Sequence, residues 1–381
     1  MAETVARSGV ATAIIVGGGI AGLTLAWNLT RRGVAVTVFE QGPLPNPRAS
    51  SYDEHRITRH AYGFQEGYAW LMPQAFRTWE ALWRDLGTSH YEETDGLYVL
   101  RQEDGWYEST TASLDALGIA HRDVPLAEVA SRLPMLRPDG ISRTLEVKGS
   151  GMLFNIRIMT DLVVHLSRLG TRFHTGAAVT QVHPDRGEIV AGGRTHAADV
   201  VVVTAGAWFD RLLPDLRRKL VPSRQAVLYL APPPDYAEAW ARAPVLGVRD
   251  EDGVYVLPPR RGTRLKVGDH AFSRVGDAED DRLATEADLA RLWRAMRTIF
   301  RDVDRYAVLE RKACYYTVTD DERFHVAPLG PRGWVVSACS GHGFKLSALI
   351  TDGLARGIVG EADPQAVPDW AAGRTADGVL A

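Results

Sequence analysis

Six consecutive residues, Gly17-Gly18-Gly19-Ile20-Ala21-Gly22, put glycine at the first, third and sixth positions. That spacing suits a pyrophosphate. Gly17 permits a tight turn, Gly19 lets the backbone approach the phosphates, and Gly22 lets a helix pack closely on a strand. A helix starting here offers unpaired N–H groups and a partial positive charge to the ligand. Glu40 ends the next apolar run and is followed by Gln41. Its carboxylate can accept hydrogen bonds from ribose hydroxyls, and its charge repels a 2′-phosphate. Residues Gly17, Gly19, Ile20, Ala21, Gly22, Glu40 and Gln41 therefore predict a site for FAD or NAD, and redox chemistry with it.

A second glycine turn, Ser340-Gly341-His342-Gly343-Phe344-Lys345, lies near the other end of the chain. A helix N-terminus there can aim N–H groups at an electron-rich group such as the N1–C2=O edge of a flavin. Lys345 would oppose the helix dipole, which hints at a purpose; a plain surface lysine on a glycine turn is the alternative. Arg56 and Arg59 are three residues apart, and arginine suits bidentate carboxylate binding. The same stretch also fits a solvated, salt-bridged segment.

These residues need elements to hold them. Ala13–Val16 and Val34–Phe39 have strand character and flank a helical stretch ending near Gly33. Ala198–Thr204 and Trp334–Ala338 are further apolar runs, suited to strands covered on both faces. Helical spacing recurs in Phe76, Trp79, Leu82, Trp83 and Leu86 before Gly87, and in Ile158, Leu162, Leu166 and Leu169 before Gly170. It recurs again in Leu289, Trp293, Met296 and Phe300 behind a Thr285 N-cap. Leu97–Leu100, Ala226–Leu230 and Val254–Leu257 read as antiparallel strands. The tail from Gly360 onward is rich in Ala, Gly, Pro and Asp and reads as loosely ordered.

The 381 residues carry a net charge of −3 and 45% hydrophobic residues. Nothing argues for wholesale binding to nucleic acid or anionic membrane. Two cysteines, Cys314 and Cys339, are too few for a disulfide framework and suit a reducing compartment. Without a signal-like N-terminus or a membrane-length apolar run, a soluble cytoplasmic protein is expected. No metal site is expected.

The combination resembles monomeric sarcosine oxidase and N-methyltryptophan oxidase, flavin amine oxidases of the D-amino-acid oxidase superfamily. The resemblance rests on the N-terminal fingerprint, Arg56–Gly63, Gly206-Ala207-Trp208, Leu265–Gly268, Ala313–Thr317 and the Ser340–Lys345 turn. It implies FAD bonded through the sulfur of Cys314, a carboxylate clamp of Arg59 and Lys345, and Lys266 as the site of oxygen activation. It places Arg56 against the flavin and Tyr316 and His270 in the substrate site. Tyr52, Val179, Gly206, Trp208, Gly341, His342, Gly343 and Phe344 join the cofactor contacts. Two departures stand out. Tyr52 replaces a histidine, and Val256 falls where an active-site tyrosine is expected, so sarcosine itself is doubtful as substrate.

The expected fold is α/β: a Rossmann-type FAD-binding domain of residues 1–87, 148–216 and 309–381, with a mixed or antiparallel-sheet substrate domain of 88–147 and 217–308 inserted. The expected activity is oxidation of the C–N bond of a secondary amine or N-methyl amino acid with a free carboxylate, yielding an imine and H2O2 in a monomeric enzyme with no macromolecular partner. Two alternatives remain: a biosynthetic oxidase of a cyclic or tethered amino acid, and a flavin subunit passing electrons to a partner protein.

Overall fold

The computed structural model describes residues 9–251, 253–337, 340–375 and 379–380. The first apolar run forms the strand Thr12–Val16, inside a six-stranded sheet. Its parallel neighbours are Val200–Val203 and Ala35–Glu40. Outward from these lie Gly333–Ser337, then His325–Gly330 on one side and Arg172–Thr175 on the other. Only His325–Gly330 runs antiparallel to its neighbour. Residues 13–16 and 200–203 are all buried, as all-apolar strands covered on both faces require. Helices Ile20–Thr30 and Gly343–Val359 pack against each other on this sheet. Both begin at its carboxyl edge, where ligands of open α/β sheets bind.

An eight-stranded sheet forms the second layer. Its order is Ala307–Val318, Val221–Ala231, Leu265–Asp269, Val254–Leu257, Val245–Arg249, Gly96–Leu100, Arg143–Val147 and His121–Asp123. All its pairings are antiparallel except Val245–Arg249 with Gly96–Leu100. One face rests on helix Glu286–Ile299 through Val256, Val267, Leu228, Leu292 and Met296. The other face looks toward the dinucleotide sheet. A three-stranded sheet of Arg56–Thr58, Gly151–Leu153 and Tyr91–Glu93 stands where the two layers meet.

The helices follow their sequence signals. Glu66–Leu86 ends at Gly87 in the left-handed region, with φ of 72°. Thr285 caps Glu286–Ile299 in a reciprocal box with Asp288. Two expectations need correcting. The boundary at residue 309 cuts the strand Ala307–Val318, an edge strand of the eight-stranded sheet. The tail is not loose up to Arg374: Val367–Ala371 is helical, and Trp370 is fully buried in the dinucleotide-domain core. Gly353 leaves space for that ring, since a Cβ there would lie 2.3 Å from it. A bland composition concealed one tryptophan anchor. Ala338 and Cys339 lie outside the described residues. No helix among the described residues is long and apolar enough to cross a membrane.

Candidate active site

Two adjoining cavities occupy the space between the layers. The first is lined by Gly17, Gly19, Ile20, Ala21, Glu40 and Gln41 from the first motif. Val179, Gly206, Trp208, Gly341, Gly343 and Phe344 also line it. Gly17 has φ of 111°, and a Cβ on it would lie 2.6 Å from the Thr204 carbonyl oxygen. Gly22 faces inward; its Cβ would lie 2.0 Å from the Gly17 carbonyl oxygen, so it serves the close helix–strand packing. Glu40 is buried and accepts from the N–H of Gly18 at 2.8 Å, the N–H of Gly42 at 2.9 Å and the Asn46 amide at 2.8 Å. The carboxylate is thus fixed at the cavity wall. The N-cap residues of helices Ile20–Thr30 and Gly343–Val359, Gly19 and His342, supply no capping side chain, and the Ser51 hydroxyl takes the Ile20 N–H at 3.0 Å. Two helix N-termini facing one cavity fit a ligand with phosphates at one end and an electron-rich ring system at the other. The residues present fit FAD.

The second cavity shares Arg56, Tyr316, Gly341 and Phe344 with the first. Arg56 donates to the Tyr316 hydroxyl at 3.1 Å and to the Ser50 carbonyl at 2.9 Å, so it is held at the junction. Arg59 and Lys345 come from different elements but meet at one ring. The Arg59 guanidinium lies 5.4 Å, and the Lys345 ammonium 5.6 Å, from the centre of Tyr62. Lys345 is only 4% exposed, so it is no surface lysine. Both cations also act on the two histidines here. Burial, then Lys345, push His342 down to about 3. Its Nε2 lies 3.1 Å from the Glu322 carbonyl, so Nε2 carries the proton, and Nδ1 can accept from Tyr62. For His270, enclosure by protein, then Arg59 and Lys345, lower the pKa to about 3. The ring is exposed in the cavity, where the two neighbouring cations disfavour its imidazolium form. Tyr62, Tyr98, Trp106, Tyr255, Phe272 and Phe344 give the cavity aromatic walls. Gly63, at φ of 58°, makes way for the Trp106 ring, 2.1 Å from where a Cβ would stand.

Lys266 sits behind these walls. It is fully buried and lines neither cavity. Its ammonium donates to Asp53 at 2.5 Å and to the His55 carbonyl at 3.3 Å, and lies 5.9 Å from the Tyr255 ring centre. Asp53 also accepts from the Tyr229 hydroxyl and pairs with Arg56 at 3.1 Å. Burial alone would raise the Asp53 pKa, but Lys266, Arg56 and Lys312 outweigh it and hold the carboxyl well below the usual range. Burial, then Arg56, lower Lys266 to about 8, against the pull of Asp53.

The structure therefore brings Arg56, Arg59, Tyr316, His270 and Lys345 to one cavity and sets Lys266 one layer behind. Cys314 is a buried free thiol on the Tyr316 face of the strand Ala307–Val318, packed with Tyr316 and Phe272. It is not part of the cavity wall. Tyr52 is not either: its ring packs on the dinucleotide core, with the Lys312 ammonium 5.1 Å from its centre. Val256, where the resemblance expects a tyrosine, has a tyrosine as its neighbour. Val256 points into the core under helix Glu286–Ile299, and Tyr255 faces the cavity. Strand alternation could have found it. Asp53, Tyr229, Arg249 and Glu322 went unread as site residues. Asp53 and Lys266 are 213 residues apart, and no local pattern pairs them.

Residues 12–356 match the DAO family of FAD dependent oxidoreductases. The chain is 28% identical over 352 residues to peroxisomal sarcosine oxidase of Mus musculus, covering 89% of each chain. It is 24% identical over 345 residues to N-methyl-L-tryptophan oxidase of Yersinia pestis, covering 88% of this chain and 92% of that one. Among solved structures it resembles NikD, an unusual amino acid oxidase essential for nikkomycin biosynthesis, with a TM-score of 0.78, 20% identity and coverage of 92% and 94%. It also resembles L-proline dehydrogenase from P. horikoshii, with a TM-score of 0.80, 16% identity and coverage of 96% and 97%. The glycine turns, the fixed Glu40 and the family match agree: the chain belongs to the FAD dependent oxidoreductase family.

Proposed function

We propose that this enzyme oxidises the C–N bond of a secondary amine or N-alkyl amino acid bearing a free carboxylate. The relatives named for sarcosine and N-methyl-L-tryptophan support the reaction class. The observation that carries the reading is the meeting of Arg59 and Lys345 over Tyr62, in a cavity that shares Arg56 and Tyr316 with the dinucleotide cavity. Two cations in an aromatic enclosure suit one carboxylate, and charge-assisted hydrogen bonds are strong in such a setting.

FAD supplies the two-electron acceptor. The chain's residues do the rest. Arg59 and Lys345 anchor the carboxylate and so fix the reacting carbon toward the shared wall. The surplus of positive charge favours the neutral amine over the ammonium. The substrate carbon gives up a hydride, the nitrogen loses a proton, and an imine forms; water then splits an N-alkyl imine into amine and aldehyde. O2 takes the two electrons with two protons and leaves as H2O2. In this reading Cys314 holds the FAD through a thioether, the eight-stranded sheet forms the substrate domain, and the low cysteine content fits a cytoplasmic setting.

The aromatic walls favour a bulky or cyclic substrate over sarcosine. The cavity reaches the surface beside Phe64, a lining residue that is 61% exposed. An anaerobic screen of N-methyl and cyclic amino acids, read by flavin bleaching, tests the proposal. Bleaching by a bulky member is expected. A flavin bleached by none of them but by NADH or NADPH would overturn it.

A further inference from the structure

Lys266 is a fully buried cation one layer behind the cavity walls, and the structure gives it a partner of its own. The Asp53 carboxylate meets its ammonium at 2.5 Å and is 3% exposed. That carboxylate is itself fixed from two other sides. Tyr229 donates to Oδ1, and Arg56 reaches Oδ2 at 3.1 Å. Tyr229 and Lys266 are directly opposed across two antiparallel strands, so the triad is built into the sheet register. The His55 carbonyl takes a further Lys266 proton at 3.3 Å.

We propose that Asp53 is a positioning residue for oxygen reduction: it keeps the Lys266 ammonium charged and held behind Tyr255 and Arg56, close to the cavity that the substrate and flavin sites share. The inference rests on the oxidase reading of the previous subsection. Every charged or titratable group facing Lys266 bears on the balance. Arg56, from the strand Arg56–Thr58, repels the ammonium. The His55 imidazole, beside it on the loop, is driven neutral by burial and by Lys266. Tyr229 and Tyr255, from neighbouring strands, are pushed far up and stay neutral, chiefly by burial. Cys314, from the strand Ala307–Val318, also acts on Lys266, and Lys312 of that strand acts on Asp53. Asp53 is thus the carboxylate that opposes burial and Arg56, and losing it leaves both to strip the proton. A charged ammonium matters because O2 gains negative charge as it takes two electrons and, with two protons, becomes H2O2.

The test uses the holoenzyme, reduced by light under anaerobic conditions and then mixed with O2, so no amine substrate is needed. The wild-type reoxidation rate is expected to fall as pH rises through about 8, where Lys266 loses its proton. Asp53→Asn is expected to move that limb to lower pH and to slow reoxidation more than tenfold at pH 8. Anaerobic flavin reduction by an amine should change by less than about threefold. NMR of 13Cε-lysine-labelled, oxidised holoenzyme should show the Lys266 resonance, identified by its loss in Lys266→Met, titrating at lower pH in Asp53→Asn. Asp53→Glu should restore part of the shift. If Asp53→Asn does not fold, Tyr229→Phe replaces it. That variant removes one donor from Asp53, leaves a more basic carboxylate for Lys266, and should move the limb to higher pH. A limb and a lysine titration that stay in place in the folded variant would overturn the proposal. Failure of the oxidase reading looks different: wild type and Lys266→Met would then reoxidise equally slowly.

Discussion

Among single residues, Arg59, Lys345 and Lys266 carry the proposed chemistry. If Arg59 and Lys345 hold a carboxylate, replacing either with Met removes a charge-assisted hydrogen bond of roughly 1.5–3 kcal/mol, about ten- to a hundredfold in substrate affinity. Anaerobic titration of flavin reduction against substrate concentration checks this; equal affinity in both variants would remove the clamp. Lys266→Met keeps length and removes charge. Its reoxidation by O2 is expected to fall roughly a hundred- to a thousandfold, while its anaerobic reduction changes much less. With His342 buried and held neutral, its imidazole does not titrate between pH 5 and 8. A turnover profile with a limb near 6.5 in the free enzyme would contradict that picture. Much of this set was legible because Arg59, Lys345 and Lys266 each sit in a stretch that resembles the family. Asp53 was not, because its role comes from the meeting of a loop with a strand 213 residues away.

At the scale of elements, the glycine turn and the caps decide what holds. Gly22→Ala would drive a Cβ to within 2.0 Å of the Gly17 carbonyl, a backbone atom that cannot yield cheaply. The expected result is protein with little bound flavin or little soluble protein at all, measured by absorbance ratio on purification. Thr285→Ala removes the cap of helix Glu286–Ile299, whose Oγ1 accepts from the Asp288 N–H at 3.2 Å. It should lower the urea midpoint by an amount equivalent to about 1 kcal/mol and leave flavin reduction untouched. Element boundaries show where sequence reasoning succeeds and stops. Gly87 ended one helix because only a left-handed residue fits there, and Thr285 began another because its hydroxyl has a job. Faces were harder. Tyr255 and Val256 differ by one residue, and in a strand that is the difference between cavity and core. The Trp370 anchor escaped notice because composition weighs a segment by its average, while burial depends on a single ring.

At the scale of the molecule, a dinucleotide layer and an antiparallel layer are tied by buried charge. Asp53, Lys266 and Arg56 come from the loop, the eight-stranded sheet and the small sheet between them. The Asp53 pKa is depressed in the folded state, so its contribution to stability is present above the usual carboxylate range and is lost as pH falls through it. Lys266 works the other way. Its folded pKa, about 8, lies below the unfolded value of about 10.4, so its protonated form opposes folding and stability recovers as pH rises between them. Melting temperature should therefore decline on acidification below about pH 4 more steeply in wild type than in Asp53→Asn; parallel curves would count against the coupling. The Cys314 thiol lies on the same side of its strand as Tyr316, which lines both cavities. If it bears the flavin, acid-precipitated wild type stays yellow and Cys314→Ala releases its colour.

The central claim is that a carboxylate-anchored amine delivers electrons to the flavin in this cavity, and one stopped-flow comparison addresses it directly. Wild-type holoenzyme is mixed anaerobically with the best N-alkyl or cyclic amino acid from the screen, and separately with the same amine lacking its carboxylate. The account predicts rapid, saturable flavin reduction by the acid, and a loss of about ten- to a hundredfold in the second-order rate constant for the decarboxylated amine. Equal rate constants for the two would contradict it.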